Sequence, residues 1–160
     1  MSMADIILFA HPTFGVIAIM AAVWVFVEAL NASGANQRRI WLGSLAVTTF
    51  ICLAWVFGGY WYVTYYYAEK AIILKGPYPA AHNFFMETKE HLFFIPLILA
   101  LYLPFVARLN LAVSARARAM VMVVAGLIAL TSFSVEGAGA VINYGVKSAF
   151  VHTGAKGSEK

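Results

Sequence analysis

Few residues in this sequence can do acid–base or metal chemistry, and several of them stand inside long apolar runs. His11 closes the run Ile-Ile-Leu-Phe-Ala, and Gly15, Ala18 and Ala22 follow it at helical spacing. In Glu87-Thr-Lys-Glu90-His91 the first and last residues are four apart and share one helix face, while Glu90 points elsewhere. His82 and Met86 come just before. Glu136 lies eight residues before Tyr144, deep in the last apolar run. Ser132, Glu136, Gly139, Ala140 and Asn143 recur there at three- and four-residue steps, a polar and small stripe expected to face a bundle interior. A charge at the centre of a membrane helix costs about 2.5–3.5 kcal/mol on insertion scales, so each such residue needs a partner or a function.

Two neutral imidazoles on different helices can ligate one haem iron, with the potential set by ligation, burial and hydrogen bonding. His11 and His91 suit that role for a b-type haem. Gly15 and Gly59 leave room for a flat ring, and Tyr62 stands beside it. The expected protein is a membrane-embedded electron-transfer protein, working with a quinone or a soluble carrier inside a larger chain or complex. Imidazole with carboxylate equally suits non-haem iron, and an added Met suits copper. That centre would draw on His11, His91, Glu87 and Glu136, with His82 as a more distant candidate.

Each feature also has a plainer explanation. Small residues at helical steps mark close helix packing in lipid. Acids in a first turn favour the helix dipole, which accounts for Glu87 and Glu90. Aromatic belts are routine at the membrane interface and cover much of Gly58-Gly-Tyr-Trp-Tyr-Val-Thr-Tyr-Tyr-Tyr67. A non-catalytic accessory subunit, whose polar groups satisfy one another, is the third reading. A proton-coupled carrier is disfavoured, because no internal repeat is visible and only one acid lies deep. Whether the protein is an enzyme stays open.

The positioning elements are set by composition. The chain has 160 residues, of which 62% are hydrophobic and 11% charged, with mean hydropathy +0.81. Water-soluble domains carry roughly 45–50% apolar and about 25% charged residues, so this chain lacks the polar surface to coat a soluble globule. About 20 apolar residues cross a bilayer core. Four runs qualify, at about 6–30, 40–67, 87–106 and 119–144. The short alternating segments of a β-barrel are missing. The expected fold is all-α, four transmembrane helices in an up-down antiparallel bundle, as one domain over 1–150 followed by a mobile polar tail at 151–160. Loops 31–39 and 107–118 are short. The middle connection carries Gly76-Pro77-Tyr78-Pro79, a strong turn signal, with 71–74 dipping into the interface.

This topology gathers His11, His91, Glu87, the tyrosines and, deeper, Glu136 into one half of the bilayer. The layout is similar, in general terms, to small multi-helix membrane cytochromes, without a motif that carries residues across. The lone Cys52 excludes an intramolecular disulfide, a CxxC pair and CxxCH haem attachment. The net charge of +4 forms no basic patch, so nucleic acid is not expected. The first ten residues hold no Lys or Arg, unlike a signal peptide. All five Arg lie in the two short loops and all six Lys on the other side. The compact Arg loops are placed in the cytoplasm and the termini outside, in a bacterial-type inner membrane. The bilayer, other membrane subunits or further copies of the chain complete the expected partners.

Overall fold

The computed structural model describes the backbone of residues 2–158 and the side chains of residues 2–152. Helix α1 (Met3–Leu30) opens on a capping box, in which Ser2 Oγ accepts from the Asp5 N–H and the Asp5 carboxylate accepts from the Ser2 N–H. This satisfies two of the donors that a helix start leaves bare. After Leu30 the chain turns around Asn36, whose amide donates to the Glu28 carbonyl (3.0 Å) and carboxylate (2.9 Å), while its Oδ1 accepts from the Ser33 N–H. Arg39 pairs with the same carboxylate at 3.3 Å.

Helix α2 (Gln37–Thr64) is followed at Tyr65 by the shorter α3 (Tyr66–Lys75), which Gly76 and Pro77 end. The chain re-enters through a wide π-helical turn (Ala81–Met86), then α4 (Glu87–Leu92) and α5 (Phe94–Ala107), and α6 runs from Ala115 to Ser158. The third span is therefore 81–107, beginning six residues before the expected start at Glu87. The second ends three residues before Tyr67, because the last aromatics turn into α3, which also contains 71–74. Helix α6 runs past the expected 119–144 at both ends and overlaps the expected tail, of which 159–160 lie outside the described residues. The protein is an all-α membrane protein with four transmembrane helices in an up-down antiparallel bundle.

Helix α1 packs on α2 and α6, and α5 packs on the same two, so the bundle runs α1–α2–α5–α6 around its axis. Near the Arg loops the core is tight. Ala18, Ala22, Val25 and Ala29 of α1 meet Val47 and Ile51 of α2, Ala100 and Leu103 of α5, and Val121 and Ile128 of α6. Small side chains on α1 allow this approach, as expected where lipid gives helices no hydrophobic reason to associate. At the other end a smaller cluster gathers Tyr66, Ile73, Ala81, Met86, Ile142 and Val146. Ile95, Ile98, Tyr102 and Phe105 of α5 are exposed on the outer surface.

Proline inside α5 needs compensation from a neighbour. Pro104 has no N–H to give the Ala100 carbonyl, four residues earlier. Thr48 of α2 supplies the donor instead, at 2.6 Å, and thereby ties the two helices at mid-bundle. We expect Thr48→Val to destabilise the protein by about 0.5–2 kcal/mol, the range for interhelical hydrogen bonds in membranes. Pro104→Ala should restore part of that loss, because the new N–H serves the same carbonyl. Reversible unfolding in mixed micelles across the double-mutant cycle checks this; strictly additive losses would show that the two donors do not substitute for each other.

Candidate functional site

Between the two packed clusters the spans part around a cavity of about 670 Å³. Its walls are mainly apolar and include the aromatic rings of Trp55, Trp61, Tyr62, Phe93 and Phe94. Phe9, Trp55 and Phe94, at its margin, are each about half or more exposed on the lipid-facing surface. One wall is polar and draws on three helices: His11 from α1, Lys89 and Glu90 from α4, and Glu136 from α6.

Side chains of minimal size hold these groups in place. The His11 Nδ1–H donates to the Ala54 carbonyl at 2.8 Å. A carbonyl can only accept, so the proton sits on Nδ1 and the neutral ring leaves Nε2 bare towards the cavity. The ring rests on Gly58, where a Cβ would stand 2.5 Å from Nδ1. Lys89 Nζ lies 3.4 Å from Nε2 and donates to it. The same amine passes over Gly139, where a Cβ would come within 3.0 Å, and so reaches the neighbourhood of Glu136, its opposite charge. The Glu136 carboxyl lies against Gly15, where a Cβ would collide with it. Lys89 thus meets an imidazole of α1 and shares the cavity wall with a carboxyl of α6. Glu90 stands beside the Tyr62 hydroxyl, yet its Oε1 is buried with no hydrogen-bond partner among the described residues.

A second polar layer stands behind this wall. The Tyr66 hydroxyl meets His82 Nδ1 at 3.0 Å, and His82 Nε2 faces Glu87 Oε1 at 3.6 Å. Tyr66 stacks on Tyr62 with ring centroids 5.2 Å apart. Burial pushes the Tyr66 phenol well above its ordinary range, and Tyr62, Glu69, Glu90 and Glu87 add to the effect. Burial also pushes the Glu69 carboxyl up.

Of the residues singled out from the sequence, His11, Glu136, Gly59 and Tyr62 line the cavity, and Gly15 supports Glu136 from behind. His91 and Glu87 do not join them. His91 is exposed, its Nδ1–H donates to the Glu87 carbonyl at 2.7 Å, and both residues line a shallow groove with Thr88, Leu92 and Ile95. The expected axial pair, His11 with His91, is therefore not assembled, and these residues do not fit a haem held between them. Among the described residues no group of three or more His, Cys, Asp or Glu is placed to hold a metal ion. His11 and Glu136 line the cavity, His91 and Glu87 line the groove, and His82 Nδ1 meets the Tyr66 hydroxyl.

Helix rotation explains the separation. The inward residues Leu103, Ala100 and Pro96 continue backwards in steps of three and four through Phe93, Lys89, Met86 and His82. His91 falls instead on the side of Ile95 and Ile98. Lys89 and Glu90 are the cavity-lining residues that sequence reasoning missed, and the backward count is the signal that finds Lys89. No protein-family model matches the chain, and no curated protein or solved structure gives a significant match.

The adjacent glycines test the seating of His11. Gly58→Ala forces the imidazole off its support and should cost about 1–3 kcal/mol, the usual range for overpacking. A Cβ at Gly59 meets nothing within 4 Å, so Gly59→Ala should be neutral. Thermal unfolding of the two variants in one detergent separates them; equal losses would remove the close seat.

Proposed function

We propose that the cavity binds a flat, lipid-soluble ring carrying carbonyl or hydroxyl groups, of the quinone and quinol class, and exchanges protons with it during redox conversion. The observation that carries this reading is the convergence of His11, Lys89 and Glu136 on one wall of an aromatic cavity beside lipid. Its volume falls within the roughly 300–1,000 Å³ of small-molecule sites. Indole and phenyl walls suit a flat ring, which stacks on them in offset or edge-on geometry. The exposed margin at Phe9 and Phe94 gives a ligand dissolved in the bilayer a way in.

The polar wall supplies the rest. A quinone carbonyl accepts hydrogen bonds, and Lys89 is the donor facing the cavity. A quinol hydroxyl donates, and Glu136 and the unpartnered Glu90 Oε1 accept. Reduction of a quinone takes up two electrons and two protons, so a site that serves it needs groups that hold and release protons within reach of the oxygens. Electrons pass to or from a soluble carrier or another membrane subunit. The same reading puts the cavity in the outer half of a bacterial-type inner membrane, with the Arg loops in the cytoplasm.

Titration of the protein in lipid nanodiscs with short-chain benzoquinone and naphthoquinone tests the proposal, using quenching of Trp55 and Trp61. We expect saturable quenching, weakened roughly ten- to hundredfold in Lys89→Met and in Glu136→Gln, as one charge-assisted hydrogen bond of about 1.5–3 kcal/mol implies. His91→Ala should have no effect. Quenching that rises without saturation, and equally in every variant, would sink the reading. A Soret band lost in His11→Ala would assign the cavity to a haem with one protein imidazole.

A further inference from the structure

The polar layer behind the cavity wall has no part in ligand contact, although its groups are arranged in series. Glu87, with its side chain half exposed, stands at the surface in the first turn of α4. Behind it His82 is 3% exposed and Tyr66 2% exposed. The phenol faces His82 Nδ1 at 3.0 Å, and the outer nitrogen, Nε2, faces the Glu87 carboxylate at 3.6 Å. Tyr62, stacked on the Tyr66 ring, lines the cavity together with Glu69 and Glu90. The sequence of groups therefore runs from the surface to the wall that carries Lys89 and Glu136.

The backbone is shaped for this. In the π turn the Glu87 N–H donates to the His82 carbonyl five residues back, and the wider turn directs Ala81, His82 and Met86 all inward. Such π insertions occur often at functional sites. A stacked Tyr62–Tyr66 pair and the tilted His82 ring, 5.8 Å from Tyr66, hold the donor and acceptor in register.

We propose that Glu87, His82 and Tyr66 form a proton path between the membrane surface and the carboxyl-bearing wall of the cavity. With His82 protonated on Nε2, Tyr66 gives its proton to Nδ1 while Nε2 releases its own to the Glu87 carboxylate. The phenolate takes a proton from Glu90 or Glu69 in the cavity wall. One proton has then moved outward, the Tyr66 hydroxyl is restored, and the imidazole is left as its other tautomer, which a rotation of the ring resets before the next outward transfer. The charged groups facing His82 are Lys70 from α3 and Glu87 and Glu90 from α4, and Lys89 stands with Glu136 on the polar wall of the cavity.

The path rests on the reading that the cavity exchanges protons, but its test needs no ligand. A stopped-flow pH jump on the full chain in nanodiscs is followed through the fluorescence of Trp55 and Trp61. Wild-type protein should show a protonation phase with a solvent deuterium isotope effect, its amplitude lost when Glu69, Glu90 and Glu136 are all changed to Gln. Tyr66→Phe and His82→Phe should slow that phase about tenfold or more while keeping its amplitude, as loss of a positioned proton donor implies. If either inner variant loses the amplitude through misfolding, Glu87→Gln decides, because the exposed carboxyl can be replaced without repacking and should slow the phase alone. Unchanged rates in these variants, or no protonation phase in the wild type, overturn the path. Wild-type protein with a relay-dependent phase but no saturable quinone binding would overturn the ligand reading and leave the path standing.

Discussion

A lysine and a carboxylate inside a membrane bundle are tolerated when they lie near enough to compensate each other, and Lys89 and Glu136 share one polar wall inside this protein. Either charge alone in hydrocarbon is costly, whereas opposite charges in a medium of low dielectric attract strongly. Lys89 leaves α4 to lie over Gly139, Glu136 leaves α6 to lie against Gly15, and His11 is seated on Gly58 so that its bare Nε2 faces the amine. The three glycines occupy positions where any side chain would displace a polar group. The polar centre therefore dictates which helix faces turn inward, in a chain whose apolar residues are content on either side.

The bundle is built unequally around that centre. Towards the Arg loops, alanine-rich packing and the hydrogen bonds of Asn36 draw the helices together. Gln37 adds a further tie, its amide donating to the Ala107 carbonyl at 2.8 Å and its oxygen accepting from the Leu111 N–H. Towards the other end, α3 and the π turn insert large rings between the spans and keep them apart. The cavity is the consequence: a space bounded below by small residues packed tightly and above by a tyrosine–histidine cluster. Polar groups that would be a burden in a sealed core become available to a ligand because this space is open to the bilayer beside them.

Chemistry and position reinforce each other in the proposed function. An imidazole held in one tautomer, an amine and two carboxyls offer both donors and acceptors to a ring whose own oxygens change from acceptor to donor when reduced. Proton exchange with the surface then needs a route that does not pass through lipid. The buried Tyr66–His82 pair provides one, placed one layer behind the wall rather than in it. The same π turn that supplies His82 also sets the rotation at which α4 presents Lys89 and Glu90.

Much of this was legible in the sequence. Four apolar runs of spanning length, separated by two short polar loops, determine a four-helix membrane bundle, because backbone polar groups in lipid must bond within their own helix. Of the stripe Ser132, Glu136, Gly139, Ala140 and Asn143, the first three mark the inward side of α6, whereas Ala140 and Asn143 are exposed at the cavity and Val135, Ile142 and Val146 take the buried positions. The Gly58–Gly59 pair marked the place where His11 needs room. What only the tertiary structure decided is the rotation of the third span. In a soluble protein the apolar face of a helix points inward, but here Ile95, Ile98 and Phe105 are as apolar as Ala100 and Leu103, and lipid accepts them equally. Hydrophobic pattern therefore could not separate the face of His91 from that of Lys89. Packing against α6 did, by offering Lys89 the carboxylate of Glu136 and leaving His91 to its own backbone.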